Sequence, residues 1–198
     1  MIPELVIIFM FYKVTLFFQI FLFFVCRFPA ENHSFDRTSN NISVCMATDD
    51  NYTQHAAVTI ASILKNADPN DKIRIYILHK GLKEENIKKL NKLHGIRDFE
   101  LIFRKLDISK LKNFRIVNNH LTIETWFRIF IPELCFDAGD KLLYMDVDMV
   151  AESSLKDLFA TDMGDNYVAV VDDFTGVKPE YKKQVLHMNN NSRYFNAG

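Results

Sequence analysis

The sequence predicts an α/β fold with a Rossmann-like, mainly parallel sheet. Short apolar runs alternate along the chain with longer segments whose apolar residues recur at helical spacing. These longer segments have the length of crossover helices, and strands joined in this way run parallel with right-handed connections. Sheets of this kind bind ligands beyond the carboxyl ends of their strands. The functional side chains are therefore expected directly after the apolar runs.

The order of the predicted elements is β-α-β-α-β. The run ISVCM predicts a short buried strand, and QHAAVTIASILKN predicts a helix with one apolar face formed by Ala57, Ile60, Ala61 and Leu64. The run KIRIYIL predicts the second strand. The segment KEENIKKLNKLHG predicts a second amphipathic helix that ends near Gly95, and FELIFRKL predicts the third strand.

The composition is that of one folded domain. The 198 residues are 48% hydrophobic and 25% charged, which excludes wholesale disorder. Lys and Arg number 24 against 25 Asp and Glu, so the formal charge of -1 gives no basis for nucleic-acid binding. The three cysteines have no CxxC or metal-like spacing, which favours free thiols over a disulfide framework or a zinc site: Cys26, Cys45 and Cys135.

An apolar segment precedes the alternating pattern. Residues 5–26 contain few polar positions and are long enough to cross a hydrocarbon core. Residues 1–30 are therefore interpreted as a membrane anchor, residues 31–41 as a polar linker and residues 42–198 as the folded domain. A cleavable signal peptide and a misassigned start are the alternatives for the first segment.

Three acidic clusters each follow an apolar run of strand type. Asp49 follows the first strand, Asp146 and Asp148 follow KLLYM, and Asp172 with Asp173 follows YVAVV. Acidic groups at one sheet edge repel each other unless a positive charge lies between them, and a divalent cation is the usual solution. Helix caps and solvated turns are the alternative for any one cluster taken alone.

The spacing of Asp146 and Asp148 fits a metal site. In an extended segment residues i and i+2 point to the same side, so both carboxylates can address one ion while Val147 packs the other way. Carboxylates suit hard cations such as Mn²⁺ or Mg²⁺, and the oxygens of a substrate diphosphate would complete the coordination. The sequence therefore predicts a divalent-metal site at this position.

Several motifs, taken in order, resemble glycosyltransferase family 8. They are MATDDNY, HAAVTIASIL, HLTIETWFRIFIPEL, KLLYMDVDMV, SLKDLF and RYFNAG, and the resemblance covers residues 42–198 nearly without gaps. The family contains retaining nucleotide-sugar transferases with a GT-A fold, among them bacterial lipopolysaccharide galactosyl- and glucosyltransferases. The resemblance implies that fold, and transfer of a hexose from UDP-galactose or UDP-glucose to a glycan or lipopolysaccharide acceptor with retention of configuration.

The resemblance also implies roles for individual residues. Asp49 and Asn51 would hydrogen-bond the uracil edge of UDP, and Tyr52 would stack on the base. Asp146 and Asp148 would hold Mn²⁺ against the diphosphate. The ribose and the donor sugar would contact a further set, which consists of the Val147 backbone and the side chains of Arg128, Asp173 and Asn196.

The family pattern continues beyond the last residue of this sequence. The residues beside the anomeric carbon, the acceptor region and a segment whose His is the third metal ligand are expected after Gly198, so no catalytic residue is assigned. The resemblance therefore implies an N-terminal fragment of the family domain. As given, this chain is expected to bind UDP poorly and to transfer no sugar.

Two other interpretations remain open. LLYMDVDMV also fits a haloacid-dehalogenase-type phosphatase, in which Asp146 would accept the phosphoryl group and Asp148 would act as acid and base. That motif normally opens its domain, whereas here a long folded region precedes it. The second alternative is an inactive, membrane-tethered remnant of a truncated gene.

Two observations bear on location. Arg27 and Arg37 follow the apolar segment, which favours a cytoplasmic position for the domain. The Asn-x-Thr motif at Asn51 would place a glycan in the proposed uracil pocket, which disfavours a glycosylating compartment. The expected location is the cytoplasmic face of a bacterial inner membrane.

Overall fold

A computed structural model describes residues 8–9, 23–27, 41–112, 123–171, 179–184 and 189. The strands in these ranges are β1 Ile8–Phe9, β2 Phe23–Arg27, β3 Asn41–Ala47, β4 Lys72–His79, β5 Glu100–Lys105, β6 Lys141–Met145 and β7 Val168–Val170. The α-helices are α1 Thr53–Asn66, α2 Glu84–Asn91, α3 Ile131–Leu134, α4 Lys156–Phe159 and α5 Pro179–Gln184. Short 3-10 helices occupy Lys92–Gly95, Ile108–Leu111 and Ile123–Phe130.

The strands form one sheet in the order β1-β7-β2-β6-β3-β4-β5. β3 pairs in parallel with β4 and β6, and β4 pairs in parallel with β5. β2 is antiparallel to its neighbours β6 and β7. The three predicted strands are β3, β4 and β5, and α1 and α2 are the predicted helices between them. The prediction of an α/β fold with a mainly parallel sheet is confirmed.

Helix α1 covers one face of the sheet. Ala56, Ile60 and Ile63 are buried in the apolar cluster between this helix and the strands. Of the other residues predicted on this face, Leu64 is also buried in the cluster, Ala57 packs against the cluster half-buried, and Ala61 is half-buried. The predicted face is therefore confirmed for Ile60 and Leu64. The two alanines lie at its margins, where small side chains carry little information about the rotation of the helix.

The opposite face of the sheet packs against the 3-10 helix Ile123–Phe130 and α3. Phe127 and Ile131 are fully buried in this second apolar cluster. Side chains alternate along β6, so Leu143 lies in the α1 cluster and Tyr144 lies in the second cluster. This alternation determines which side each residue after β6 faces.

Two of the three cysteines also belong to the second cluster. Cys45 and Cys135 are buried free thiols, as predicted, and their sulfur atoms lie 3.9 Å apart. Both behave as small apolar groups that fill the core.

The N-terminal apolar segment is described only in part. Ile8–Phe9 and Phe23–Arg27, which overlap the predicted membrane span over residues 5–26, are strands of the sheet. Within the described residues, no helix combines the length and the apolar character needed to cross a bilayer. The predicted linker over residues 31–41 lies outside the described residues except for Asn41, which begins β3.

Candidate active site

Two of the acidic segments leave the sheet side by side. β3 and β6 are parallel neighbours in which Cys45 lies opposite Tyr144. Asp49 follows Cys45 by four residues and Asp148 follows Tyr144 by four residues, so both segments emerge at the carboxyl edge of the sheet. This is the edge at which open α/β sheets bind ligands. The structure therefore brings the first and second acidic clusters together.

Asp49 forms the turn that connects β3 to α1. Its Oδ1 accepts hydrogen bonds from the backbone amides of Asn51 and Tyr52, each at 2.9 Å. The Thr53 hydroxyl donates to the carbonyl oxygen of Asp49 at 2.8 Å. These bonds satisfy the two backbone amides directly before α1 and order the turn. The carboxylate thus has a structural task here, while its Oδ2 lies 3.4 Å from Nδ2 of Asn51.

Tyr52 presents its ring at the start of α1. The residue is 43% exposed, and its ring centroid lies 5.4 Å from that of His55 at an interplanar angle of 45°. An exposed aromatic ring beside a polar turn is suited to stacking on a flat ligand. The position is also compatible with the simpler role of covering the sheet edge.

Asp50 is directed away from this turn and towards α2. Its Oδ1 accepts hydrogen bonds from the Lys83 amide at 2.9 Å and from Nδ2 of Asn86 at 2.7 Å. These two hydrogen bonds lower the pKa of the Asp50 carboxyl below its ordinary value. Asp50 therefore ties the β3–α1 turn to the start of α2, a connection that the sequence did not indicate.

The second acidic segment turns directly after β6. Val147 and Met149 are buried in the α1 cluster, whereas Asp146 is half-buried and Asp148 is exposed. The alternation of buried and accessible side chains thus continues beyond the strand. Both carboxylates lie on the accessible side, and the backbone between them is held by Thr59 of α1.

Arg128 approaches the same segment from the 3-10 helix Ile123–Phe130. Its Nε donates to the carbonyl oxygen of Thr125 at 2.7 Å, and its guanidinium carbon lies 5.2 Å from the centre of the Tyr144 ring. The Tyr144 hydroxyl hydrogen-bonds the Asp146 carboxylate. Burial raises the pKa of Tyr144, the Arg128 charge opposes that shift, and the Asp146 charge adds to it. The phenol is therefore neutral and can donate.

The sequence missed four polar residues that support this edge. Three of them contact distant parts of the chain. These three could have been found from a stripe of polar residues, spaced three and four apart, that interrupts the apolar face of α1. Tyr144 was hidden inside the apolar run KLLYM. The four residues are Thr59, Ser62, Asn66 and Tyr144.

Two of the residues that were singled out lie outside the described residues. These are Asp173, at the third acidic cluster, and Asn196, in the FNAG motif. Of the three side chains predicted to contact a donor sugar, Arg128 alone lies among the described residues.

The acidic pair offers hard oxygen ligands for a cation. Within the described ranges, no group of three or more His, Cys, Asp or Glu side chains could hold a metal ion. Two accessible carboxylates fit Mn²⁺ or Mg²⁺, since such ions take one or two carboxylates together with substrate phosphates and water. They do not fit zinc, which prefers several nitrogen or sulfur ligands from the protein.

The sequence pattern of glycosyl transferase family 8 matches residues 43–198. The chain belongs to this family. The match includes both acidic segments of the sheet edge and every residue that the sequence singled out for the site. It supports the glycosyltransferase interpretation and gives no support to the phosphatase alternative.

Relatives from bacteria agree with this assignment. A putative glycosyltransferase of Haemophilus influenzae is 30% identical over 161 residues, which cover 81% of this chain and 48% of the relative. A lipopolysaccharide 1,2-glucosyltransferase of Escherichia coli is 30% identical over 163 residues, which cover 82% of this chain and 47% of the relative. The chain thus spans about half the length of these relatives.

Solved structures identify the fold. The galactosyltransferase LgtC, crystallised with donor and acceptor sugar analogues, superposes with a TM-score of 0.71 at 31% identity over 79% of this chain and 56% of LgtC. The bifunctional glycosyltransferase WbbM gives a TM-score of 0.64 at 30% identity, over 85% of this chain and 32% of WbbM. These neighbours have the GT-A fold, so the predicted fold class is confirmed.

Proposed function

We propose that the protein containing this chain transfers a hexose from a UDP-sugar, UDP-galactose or UDP-glucose, to a glycan or lipopolysaccharide acceptor with retention of configuration. The observation that carries the proposal is the convergence of the Asp49–Tyr52 turn and the Asp146–Asp148 segment at one sheet edge. A base-binding turn beside an acidic pair suits a nucleoside diphosphate. The relatives named as lipopolysaccharide glucosyl- and galactosyltransferases support the choice of sugar and acceptor.

The nucleotide part of the proposed site is the turn before α1. Asn51 and the Oδ2 atom of Asp49 would contact the uracil edge, and the exposed Tyr52 ring would stack on the base. The Val147 backbone, on the neighbouring segment, would lie near the ribose. Since Oδ1 of Asp49 already accepts two amide hydrogen bonds, the turn is ordered before a ligand arrives.

The diphosphate part of the proposed site is the acidic pair. Asp146 and Asp148 would hold Mn²⁺ or Mg²⁺, because both carboxylates lie on the accessible side of the segment. When bound, such a cation supplies Lewis-acid stabilisation of the negative charge on a departing diphosphate. The Tyr144 hydroxyl orients the Asp146 carboxylate through its hydrogen bond.

Arg128 belongs to the third part of the proposed site, which would contact the donor sugar. Its planar guanidinium can donate to sugar hydroxyl groups and phosphate oxygens, and the Tyr144 ring and the Thr125 carbonyl limit its freedom. Asp173 and Asn196 are proposed to contact the same sugar. A residue that contacts the anomeric carbon is not assigned.

Calorimetric titration of UDP into the chain tests the nucleotide and metal parts of the proposal. We expect weak binding that requires Mn²⁺ and is lost in both Asp146→Asn and Asp148→Asn. Asp157→Asn, at an exposed position of α4, is the matched control and should bind as the wild type does. Metal-independent binding that survives both site substitutions would contradict the proposal, as would equal binding of CDP.

The transfer reaction needs a separate test with the full-length protein. Each UDP-hexose is incubated with and without Mn²⁺, and UDP release identifies the donor. The configuration of the new bond, read by NMR, decides between retention and inversion.

The location on the cytoplasmic face of a bacterial inner membrane is likewise proposed. Relatives named as lipopolysaccharide glycosyltransferases support it. Residues 5–26 are not proposed as the attachment, because Phe23–Arg27 pairs with β6 and β7 within the sheet. Membrane fractionation with protease treatment of intact spheroplasts tests the orientation. A glycan on Asn51, detected by mass spectrometry, would rule out this placement.

A further inference from the structure

A buried hydroxyl in α1 contacts the backbone of the acidic segment. Thr59 is fully buried, and its Oγ1 lies 2.6 Å from the carbonyl oxygen of Val147 and 2.7 Å from that of Met149. The Met149 amide donates to the same Oγ1 at 3.2 Å. One side chain thus shares its proton between two carbonyl groups and accepts from a third group, all of them flanking Asp148.

Two further polar residues continue this stripe along α1. The hydroxyl of Ser62 accepts a hydrogen bond from the Ala151 amide at 2.9 Å, and Nδ2 of Asn66 donates to the Ala151 carbonyl at 2.9 Å. Positions 59, 62 and 66 lie on the same side of a helix. Their contacts follow the order of the chain: Thr59 bonds the backbone on either side of Asp148, and Ser62 and Asn66 bond Ala151 further along.

A hydroxyl in an apolar cluster is costly unless its hydrogen bonds are satisfied. Thr59 is buried on the same side of α1 as Ala56 and Ile60. A valine side chain would have nearly the same shape at this position. Its hydroxyl is therefore matched to the carbonyl and amide groups of Val147 and Met149 rather than to the packing of the helix.

We propose that Thr59 is a positioning residue for the metal-binding carboxylates. Its hydroxyl holds Val147 and Met149 on the core side, and since side chains alternate here, Asp146 and Asp148 are held on the accessible side. The inference rests on the proposed function for the role of the two carboxylates. The local geometry stands independently of that role.

The same helix also starts at the nucleotide turn. α1 begins one residue after Tyr52, and Thr59 lies less than two helical turns further along. One rigid element therefore sets the spacing between the base-binding turn and the acidic pair. A site that must hold a base and a diphosphate together gains from such a fixed spacing.

The test compares Thr59→Val, which removes the hydroxyl at nearly constant shape, with Thr59→Ser, which keeps it. Ser62→Ala is the matched control, since it removes a hydrogen bond to the same segment but beyond the acidic pair. The rates of hydrogen exchange at the Met149 and Ala151 amides measure directly whether each hydrogen bond is lost. The EPR signal of free Mn²⁺, recorded with UDP present, reports metal affinity.

We expect Thr59→Val to accelerate exchange of the Met149 amide about tenfold and to weaken Mn²⁺ binding by a similar factor, as expected for one lost buried hydrogen bond. Thr59→Ser should keep both the Met149 exchange rate and the Mn²⁺ affinity within about threefold of the wild type. Ser62→Ala should accelerate exchange of Ala151 and leave Mn²⁺ affinity nearly unchanged. If Thr59→Val does not fold, Thr59→Cys, a weak donor of similar size, should give intermediate losses.

Unchanged Met149 exchange and Mn²⁺ affinity in Thr59→Val would overturn the inference, as would equal losses in Thr59→Ser. If the wild-type chain binds no Mn²⁺ with UDP, the proposed function fails on its own. In that case exchange of the Met149 amide alone decides whether Thr59 holds the segment.

Discussion

The guanidinium group of Arg128 lies over the ring of Tyr144, with 5.2 Å between its central carbon and the ring centroid. Tyr144 in turn hydrogen-bonds Asp146. This chain of contacts joins a residue proposed for the donor sugar to a residue proposed for the metal. Arg128 therefore reaches the acidic segment through the Tyr144 ring.

The first prediction concerns this arginine. Arg128→Ala should weaken binding of a UDP-hexose about tenfold, because charge-assisted hydrogen bonds to the sugar and phosphate are lost. Binding of UDP itself should change less. Arg128→Lys should not restore the loss, since an ammonium group cannot reproduce the planar fork of donors. Calorimetry with UDP-hexose and with UDP measures both effects.

Lys110 provides a matched control for this prediction. Its ammonium nitrogen lies 5.9 Å from the centre of the Phe130 ring, so it forms a similar contact with the same 3-10 helix. Lys110→Ala should leave both affinities within about twofold of the wild type. Equal losses in the two alanine variants would show that the Arg128 effect is a general effect of charge or packing.

The second prediction separates the structural task of Asp49 from its proposed task in binding. Asp49→Ala removes the acceptor for the Asn51 and Tyr52 amides and should lower the free energy of unfolding by about 1 kcal/mol. Asp49→Asn keeps a carbonyl acceptor and should change stability much less. Urea unfolding of the two variants measures the difference.

The same pair of variants also tests recognition of uracil. Asp49→Asn replaces an acceptor by an amide donor at the base edge, so discrimination between UDP and CDP should fall even though the fold is retained. Competition between UDP and CDP for the chain in the presence of Mn²⁺ measures this discrimination. If Asp49→Asn is as selective as the wild type, Asp49 has only the structural task.

The third prediction concerns pH and the buried histidine at the end of β4. His79 is 7% exposed, and within the described residues its Nδ1 has no hydrogen-bond partner. Burial lowers its pKa from the ordinary 6.5, the charge of Lys105 lowers it further, and Asp50 opposes the shift. The ring of Phe103 also faces it, with 6.1 Å between centroids. The folded state therefore holds His79 neutral.

The sign of the pH effect follows from linkage. Below pH 6.5 the unfolded chain binds a proton at His79 that the folded chain does not bind, so stability falls as the pH falls from 6.5 towards the lower pKa of the folded state. His79→Gln should lose less stability across this window in urea unfolding. His55→Gln, at an exposed position of α1, should follow the wild type. If the free energy of unfolding changes with pH in the same way for the wild type, His79→Gln and His55→Gln, the prediction is contradicted.

The order of strands and helices could be predicted from the sequence because each element carries its own periodicity. β3, β4 and β5 are short apolar runs, and neighbouring helices of crossover length make them parallel. The same rule predicted that acidic residues after β3 and β6 would meet at one edge. Strand order did not have to be known, since all carboxyl ends of a parallel sheet lie on one side.

The contacts that hold the site could not be predicted in the same way. The bond between Thr59 and Val147 joins residues 88 positions apart, and no local pattern encodes such a partner. Asp49 was predicted to contact the base, and the structure shows that its carboxylate also orders the turn. A carboxylate that bonds local amides and one that bonds a ligand look the same in a sequence.

The last prediction concerns stability at the opposite edge of the sheet. Arg97 donates to four backbone carbonyl groups in the loop between α1 and β4, at distances from 3.0 to 3.2 Å, and the acceptors are Ala67, Asp68, Pro69 and Asp71. Arg97→Lys retains the charge but cannot reach these carbonyls together. The free energy of unfolding should fall by about 1–3 kcal/mol, the range for hydrogen bonds to charged groups.

Arg74→Lys is the comparison for that change, because Arg74 pairs with the exposed Glu100 and donates to one backbone carbonyl, that of Asp137, so its loss should be smaller than that of Arg97→Lys. The Arg97 loop precedes β4, whereas the proposed site follows the strands, and eight strand residues separate the two edges by roughly 25 Å. Arg97→Lys should therefore leave Mn²⁺-dependent UDP binding unchanged below its unfolding temperature. A loss of binding in the folded variant would mean that the loop influences the site through the sheet.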